Sequence, residues 1–162
     1  MNLEAAVAGC PQLTCIIELS LLALRPSDRR CVVISDPRRL QHSLNLEDAI
    51  SPTSPNMKQW DYALGWESNS SCDSCCFVEV HPAHSTGSAS ELVLKKRALL
   101  RWLQENCPQV LRLANTTGSR TAAAVWHWLA TPAPISIRKG SQAAKKLQAA
   151  GISGPKRRLE LD

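Results

Sequence analysis

The sequence predicts a single α/β domain spanning residues 1–162, with a central mixed β-sheet flanked by helices. Three observations support this prediction. The chain has 162 residues, of which 44% are hydrophobic, and this is enough for one core. Short β-branched or aromatic runs, typical of strands, are interleaved with segments of helical periodicity. The sequence contains no internal repeat or coiled-coil heptads, and the interleaved order is typical of a sheet packed against helices.

The N-terminal third predicts helix first and then a strand. A mostly helical pattern covers residues 3–24. It is interrupted at Pro11 and ends before Pro26, whose ring removes a backbone donor. The β-branched run at 29–35 predicts a strand. Residues 37–57 contain three prolines and predict a long surface connection, with one short helical turn around 46–49.

The middle of the chain predicts a hairpin followed by a strong helix. Strands are expected at 58–65 and 74–81, separated by a polar turn at 67–71. Because the link is short, we expect the two strands to pair in antiparallel fashion. A Gly/Ser-rich loop then leads into a helix over 89–106, which ends before Pro108.

The last third predicts shorter pieces. Three further strands are expected, at 109–113, 125–129 and 135–138. A helix over 142–150 follows, with Ser141 as its N-cap and Gly151 as the residue after its C-cap. Residues 154–162 are expected to form either an edge strand or a flexible basic tail.

Charge and cysteine content narrow the expected environment and partners. Nineteen Lys and Arg against fourteen Asp and Glu give a net charge of +5, which favours a polyanionic partner such as nucleic acid. The most apolar run, 15–24, contains Glu18 and is too short to span a bilayer, so no membrane association is expected. The N-terminus lacks the basic region of a signal peptide. Seven cysteines without an export signal therefore predict reduced thiols in a cytoplasmic protein.

Two carboxylates are expected to meet in the predicted hairpin. Alternation along strand 74–81 places Cys75, Phe77, Glu79 and His81 on one side. The preceding strand carries Asp61. Two carboxylates at a strand junction form a hard oxygen site suited to Mg²⁺ or Mn²⁺.

A lysine is expected to face this pair from the helix that follows. The apolar stripe of the predicted helix consists of Leu92, Val93, Leu99, Leu100 and Leu103. Lys96 falls near the centre of the stripe, whereas Lys95 lies towards its edge or on the polar face. A lysine in a core-facing stripe must reach solvent or meet an anion, and Glu79 is the expected anion.

These elements resemble the PD-(D/E)XK nuclease-like superfamily, whose members have a restriction-endonuclease-like fold. In this resemblance Asp61 matches the motif Asp and Glu79 the motif acid. His81 stands where the motif lysine is expected, and Lys96 matches a lysine displaced onto the next helix. Glu18 is the candidate for the helical glutamate that completes the metal shell.

The resemblance implies a metal-dependent nuclease that hydrolyses phosphodiester bonds of nucleic acid. Asp61, Glu79 and Glu18 would hold Mg²⁺ or Mn²⁺, while Lys96 and His81 would orient water or stabilise charge on the phosphate. A small domain of this class is also expected to dimerise in order to cut two strands. Five cations are the candidate nucleic-acid contacts, against the alternative of solvated surface: Arg29, Arg30, Arg38, Arg39 and Lys139. Lys145 and Lys146 extend the group that contains Lys139.

Two non-catalytic alternatives stay open. In the first, the same fold is an inactive scaffold for a protein or RNA partner, and Glu79 and Lys96 form a structural ion pair. In the second, Cys72, Cys75 and His84 stabilise a small binding module by holding zinc. Zinc is the less favoured cofactor, because a single Cys-x₂-Cys is weak evidence and buried thiols commonly act as small apolar residues.

Overall fold

A computed structural model describes residues 1–68, 72–121, 124–130 and 134–161. The strands in these ranges are β1 (Glu18–Leu19), β2 (Val32–Ile34), β3 (Leu40–Asn45), β4 (Tyr62–Glu67), β5 (Asp73–Val80), β6 (Trp126–Leu129), β7 (Ile152–Lys156) and β8 (Leu159–Leu161). The helices are α1 (Leu3–Val7), α2 (Pro11–Thr14), α3 (Pro26–Arg29), α4 (Leu46–Ile50), α5 (Thr86–Asn106), α6 (Pro108–Thr121) and α7 (Gln142–Ala149). A 3₁₀ turn lies at Pro37–Arg39.

Six of these strands form one mixed sheet in the order β1-β3-β4-β5-β6-β7. The neighbours from β1 to β5 pair in antiparallel fashion, whereas β5, β6 and β7 run parallel. Parallel pairing of β5 with β6 requires a long crossover, and α5 and α6 lie in it. The predicted α/β class, with a mixed sheet flanked by helices, is confirmed.

The two faces of the large sheet have different coverings. One face packs against apolar residues of the helices, and Cys75 and Phe77 of β5 belong to this core. Cys76 and Val78 belong to a second core on the opposite face, together with Leu159 of the small parallel sheet formed by β2 and β8. The alternation predicted along β5 is therefore confirmed.

Several local predictions in the middle and C-terminal parts are also confirmed. The hairpin pairs Tyr62 with Val78, although β4 begins later than the predicted strand. The Ser141 side chain accepts a hydrogen bond from the Ala144 amide at the start of α7. Gly151 follows α7 with a φ of 64°, a conformation that glycine adopts without a Cβ clash.

The predicted strand at 109–113 is wrong, because these residues belong to α6. Pro108 starts this helix, where its missing amide proton costs nothing. Buried residues follow at helical spacing: Val110, Leu113, Ala114 and Thr117. The predicted strand at 135–138 is also not formed. The Ser136 amide donates to the Ala83 carbonyl, which lies in the connection between β5 and α5.

The predicted helical pattern of residues 3–24 is interrupted near Pro11, as expected, but it ends at Thr14 and does not continue to Leu24. Gly9 and Pro11 divide it into the short helices α1 and α2, and Glu18 then pairs with Ser43 of β3. Strand β3 itself lies inside the stretch 37–57 that was predicted as a connection. It has few β-branched residues, so its extended shape depends on its two neighbours in the sheet.

The C-terminal residues follow the edge-strand alternative. Residues 159–161 pair in parallel with β2, and Leu159 and Leu161 are buried in the second core. Residues 154–156 are the end of β7. In the part of the chain that the structure describes, no helix has the length and apolarity to cross a membrane.

The expectation that all thiols are reduced is wrong for one pair. Cys10 and Cys107 form a disulfide between residues 97 positions apart in the chain. Cys10 precedes α2 and Cys107 ends α5, so the bond joins the N-terminal helices to the main helical layer. The argument from reduced thiols to a reducing compartment does not hold for this pair. The other five cysteines form no disulfide in the described part of the chain.

Candidate functional site: a buried carboxylate–lysine cluster

Asp61 and Glu79 are brought together by the β4–β5 hairpin. Tyr62 pairs with Val78, so the next pair in this register is Asp61 with Glu79. The Asp61 amide donates to Glu79 Oε2 at 3.2 Å, and the Val80 amide donates to Asp61 Oδ2 at 2.8 Å. Each carboxylate is therefore oriented by a backbone amide of the opposite strand.

Lys95 of α5 completes the cluster. Its Nζ lies 2.5 Å from Glu79 Oε1. The Glu79 side chain is 1% exposed and that of Lys95 is 18% exposed, so the ion pair is largely removed from water. Asp61 is only half-buried, which makes it the more accessible of the two acids.

Both carboxyl groups have raised pKa values. Burial is the largest cause for Glu79, and the nearby charge of Asp61 adds to it, so its pKa rises to about 8 despite the ion pair with Lys95. Burial also raises the pKa of Asp61, although the hydrogen bond from the Val80 amide acts to lower it. Burial alone would lower the pKa of Lys95, but Glu79 and then Asp61 raise it. Two acids thus share one cation, and the cluster is short of positive charge.

The lysine that contacts Glu79 is Lys95, and the prediction that Lys96 would do so is wrong. Lys96 Nζ instead donates to the Ala150 carbonyl at 2.6 Å and lies 4.8 Å from the centre of the Trp126 ring. Neighbouring residues on a helix point about 100° apart, so two adjacent lysines cannot meet the same acid. Trp102 is also buried, which extends the apolar stripe towards the side that carries Lys95. Including Trp102 in the stripe would have indicated Lys95 from the sequence.

Glu18 and His81 lie apart from the carboxylate pair. Glu18 is on the edge strand β1, separated from β4 by β3, so it is two strand spacings away. His81 Nδ1 donates to the Pro82 carbonyl at 2.8 Å. Neither side chain has a hydrogen bond or ion pair to Asp61 or Glu79 in the described part of the chain.

Two further acids near Asp61 were not anticipated from the sequence. Asp28 and Glu47 both contribute to raising the pKa of Asp61. Asp28 Oδ2 accepts a hydrogen bond from the Tyr62 hydroxyl at 2.8 Å, and Glu47 lies 3.5 Å from Arg25. They are far from Asp61 in sequence and lie near it because α3 and α4 flank the start of β4, so no local pattern predicts them.

The five cations predicted to contact nucleic acid lie on separate segments. The Arg29 guanidinium donates to the Leu22 and Leu24 carbonyls, which closes the loop before α3. Arg38 forms an exposed ion pair with Asp36 at 2.9 Å. Arg30 and Lys139 are exposed, and Arg39 is half-buried.

The described residues contain no group of three or more His, Cys, Asp or Glu side chains arranged to hold a metal ion. The proposed zinc ligands Cys72, Cys75 and His84 form no such group. Cys75 is fully buried in the helical core, and burial raises the pKa of its thiol to about 12. Asp61 and Glu79 offer two hard oxygen donors, the ligand type that Mg²⁺ and Mn²⁺ prefer.

Comparison of the chain with protein-family models, curated proteins and solved structures found no match.

Proposed function

We propose that this protein is a divalent-metal-dependent nuclease of restriction-endonuclease-like fold that hydrolyses phosphodiester bonds. The observation that carries the proposal is the meeting of Asp61, Glu79 and Lys95 at one end of the β4–β5 hairpin. Two acids and a lysine are the residue types that metal-dependent phosphodiester hydrolysis needs.

The order of elements supports the choice of fold. An acid precedes one strand, a second acid lies on its antiparallel neighbour, and an amphipathic helix follows with the lysine. The chain then returns to a strand parallel to β5. This order agrees with the resemblance drawn from the sequence, with Lys95 taking the place first given to Lys96.

Asp61 and Glu79 are the residues that would hold Mg²⁺ or Mn²⁺. Burial, and to a smaller extent the charge of neighbouring carboxylates, raises both pKa values, and a cation bound there would lower both. Such an ion would supply a polarised water and stabilise negative charge on the phosphate.

Lys95 has two tasks in the proposed reaction. It holds Glu79 in position through their ion pair, and its ammonium group offsets negative charge that develops on a phosphate beside Asp61. Because Glu79 is almost fully buried and Asp61 is half-buried, the substrate phosphate would approach from the side of Asp61.

The test is cleavage of labelled single- and double-stranded nucleic acids with Mg²⁺ or Mn²⁺, together with calorimetry of metal binding. Asp61→Asn and Glu79→Gln should abolish both metal binding and cleavage. Lys95→Met should lower cleavage by about 100-fold or more. Lys96→Met is the matched control, because Lys96 is the next residue on α5 and bonds to Ala150 instead. Absence of metal binding in folded wild-type protein would refute the proposal.

A catalytically inactive scaffold is the second candidate, and the Glu79–Lys95 pair is the observation that favours it. A buried, hydrogen-bonded ion pair can serve structure alone, and its replacement by neutral residues is then often neutral or stabilising. In this case the double variant Glu79→Gln/Lys95→Met would keep full stability, and wild type would bind neither Mg²⁺ nor Mn²⁺.

A further inference from the structure

The seam between α5 and α7 contains two concave regions that are both lined by cations. One has a volume of about 340 Å³ and is lined by residues that include Ser90, Ser141 and Lys146. The other has a volume of about 240 Å³ and is lined by residues that include Arg97 and Leu100. Ser90 and Arg97 are seven positions apart on one helix, which corresponds to about 10 Å at a rise of 1.5 Å per residue. The two regions therefore lie next to each other along one seam, which we call the α5–α7 groove.

The groove has a strongly positive border. Residues 138–150 carry four Lys or Arg and no Asp or Glu. On α5, Arg97 is exposed and makes no ion pair with any residue that the structure describes. The acid next to Ser90 is Glu91, which pairs with Lys58 at 3.3 Å. Positive charge at the groove is therefore not neutralised by neighbouring carboxylates.

The cations of the groove differ in availability. Lys96 is half-buried and committed to the Ala150 carbonyl at the end of α7, so it serves mainly to hold the two helices together. Lys146 is exposed, and among the described residues its Nζ donates to one neutral partner, Ser90 Oγ, at 2.8 Å. A phosphate oxygen can therefore take a place beside Lys146 without displacing a carboxylate. Lys146 and Arg97, at opposite ends of the groove, are the two cations available to a ligand.

We propose that the α5–α7 groove binds the sugar–phosphate backbone of a single strand of nucleic acid, with Lys146 and Arg97 each contacting a phosphate. Ser90, which Lys146 contacts, and Arg97 lie about 10 Å apart along α5, so the two cations can reach different phosphates of one strand. The choice of nucleic acid as the polyanion rests on the proposed function. The same helix α5 directs Lys95 towards Glu79, so a strand held in the groove lies alongside the helix that contributes to the carboxylate site.

The test is fluorescence anisotropy with a labelled oligothymidine and full-length protein, in EDTA, over a range of salt concentrations. The test variant is Lys146→Gln/Arg97→Gln. The matched control is Arg112→Gln, which removes an exposed Arg of α6 whose guanidinium donates to Gln109 at 3.4 Å. Circular dichroism checks that all variants are folded.

Removal of two phosphate contacts should lower the slope of log affinity against log salt by about 1.4, at about 0.7 per contact for single strands. When salt rises from about 50 to 200 mM, both proteins should lose affinity, and the loss of wild type should be about sevenfold larger than that of the double variant. The control should keep the wild-type slope. An unchanged slope in the double variant would overturn the proposal, and so would wild-type binding to phosphatidylserine vesicles but not to the oligonucleotide.

The result is separable from the test of the carboxylate site. Binding is measured in EDTA, so it does not depend on a metal ion held by the carboxylate site. If the protein binds the oligonucleotide through the groove but cleaves no substrate, the proposed nuclease activity is refuted and the proposed binding by the groove stands. If the protein cleaves nucleic acid and the groove variants bind the oligonucleotide as wild type does, only the proposed binding by the groove is refuted.

Discussion

Replacement of Glu79 by Gln should change how the stability of the protein depends on pH. The ordinary pKa of this carboxyl group is 4.5, and in the folded protein it rises to about 8 because the group is buried and lies near Asp61. Between these two values the folded state keeps a proton on Glu79 that the unfolded state has lost. The folded state binds more protons, so the free energy of unfolding falls as pH rises through this window.

The size of the effect follows from the shift. Each pH unit inside the window costs about 1.4 kcal/mol, so between pH 5 and 8 the contribution of Glu79 falls by about 4 kcal/mol. Below pH 4.5 both states are protonated, and above about pH 8 both are ionised, so the contribution is constant outside the window. Gln has no such titration, and the difference in stability between Glu79→Gln and wild type should rise by about 4 kcal/mol over the same range.

Urea denaturation of wild type and Glu79→Gln at half-unit pH intervals provides the measurement. Taking the difference between the two proteins removes the contributions of other groups that titrate equally in both. Saturating Mg²⁺ should flatten the pH dependence of wild type, because a bound cation lowers the pKa of the carboxylate. A stability difference that does not change with pH, or that falls as pH rises, would show that Glu79 is ionised in the folded protein at pH 5 and would refute the reasoning.

Three other changes test the ion pair of Lys95, the disulfide and the contact between Gly65 and Leu3. Lys95→Met should destabilise the protein more at pH 9 than at pH 6 in urea denaturation, by about 1 kcal/mol or more, because Glu79 is ionised above about pH 8 and only the ionised group loses an ion-pair partner. A cost that does not change with pH would contradict the ion pair. The double replacement Cys10→Ser/Cys107→Ser should lower the free energy of unfolding by about 5 kcal/mol, since the bond closes a loop of about 100 residues. Reducing agent should lower the free energy of unfolding of wild type by the same amount as the double replacement does, and it should leave that of the variant unchanged. Gly65→Ala should cost about 1–3 kcal/mol in thermal unfolding, because the added Cβ would lie 2.6 Å from the Cβ of Leu3, and an unchanged midpoint would contradict this contact.

Predictions from the sequence were correct where local geometry alone decides the outcome. Alternation along β5 correctly placed Cys75 and Phe77 on one face and Cys76 and Val78 on the other, because side chains of an extended strand always alternate. The limits of α7 also followed from local chemistry, since its capping serine and its terminal glycine act on adjacent backbone groups.

Errors arose where a short segment is compatible with two structures. The run 109–113 is apolar and short, so its pattern fits a strand or one and a half helical turns, and only burial along α6 decides between them. Strand β3 has a weak pattern of its own and is held in place by pairing with β1 and β4. Pairing partners are not encoded in the segment itself.

The sequence by itself determined that Asp61 and Glu79 lie side by side, because two extended runs separated by only a few residues pair in antiparallel fashion. Only the tertiary structure decided which lysine meets them and which cysteines pair. The choice between Lys95 and Lys96 depends on how α5 is rotated against both the sheet and α7, a rotation set by residues from several elements at once. The Cys10–Cys107 bond likewise requires the N-terminal helices to pack beside the end of α5, and such long-range contacts exist only once the whole core has formed.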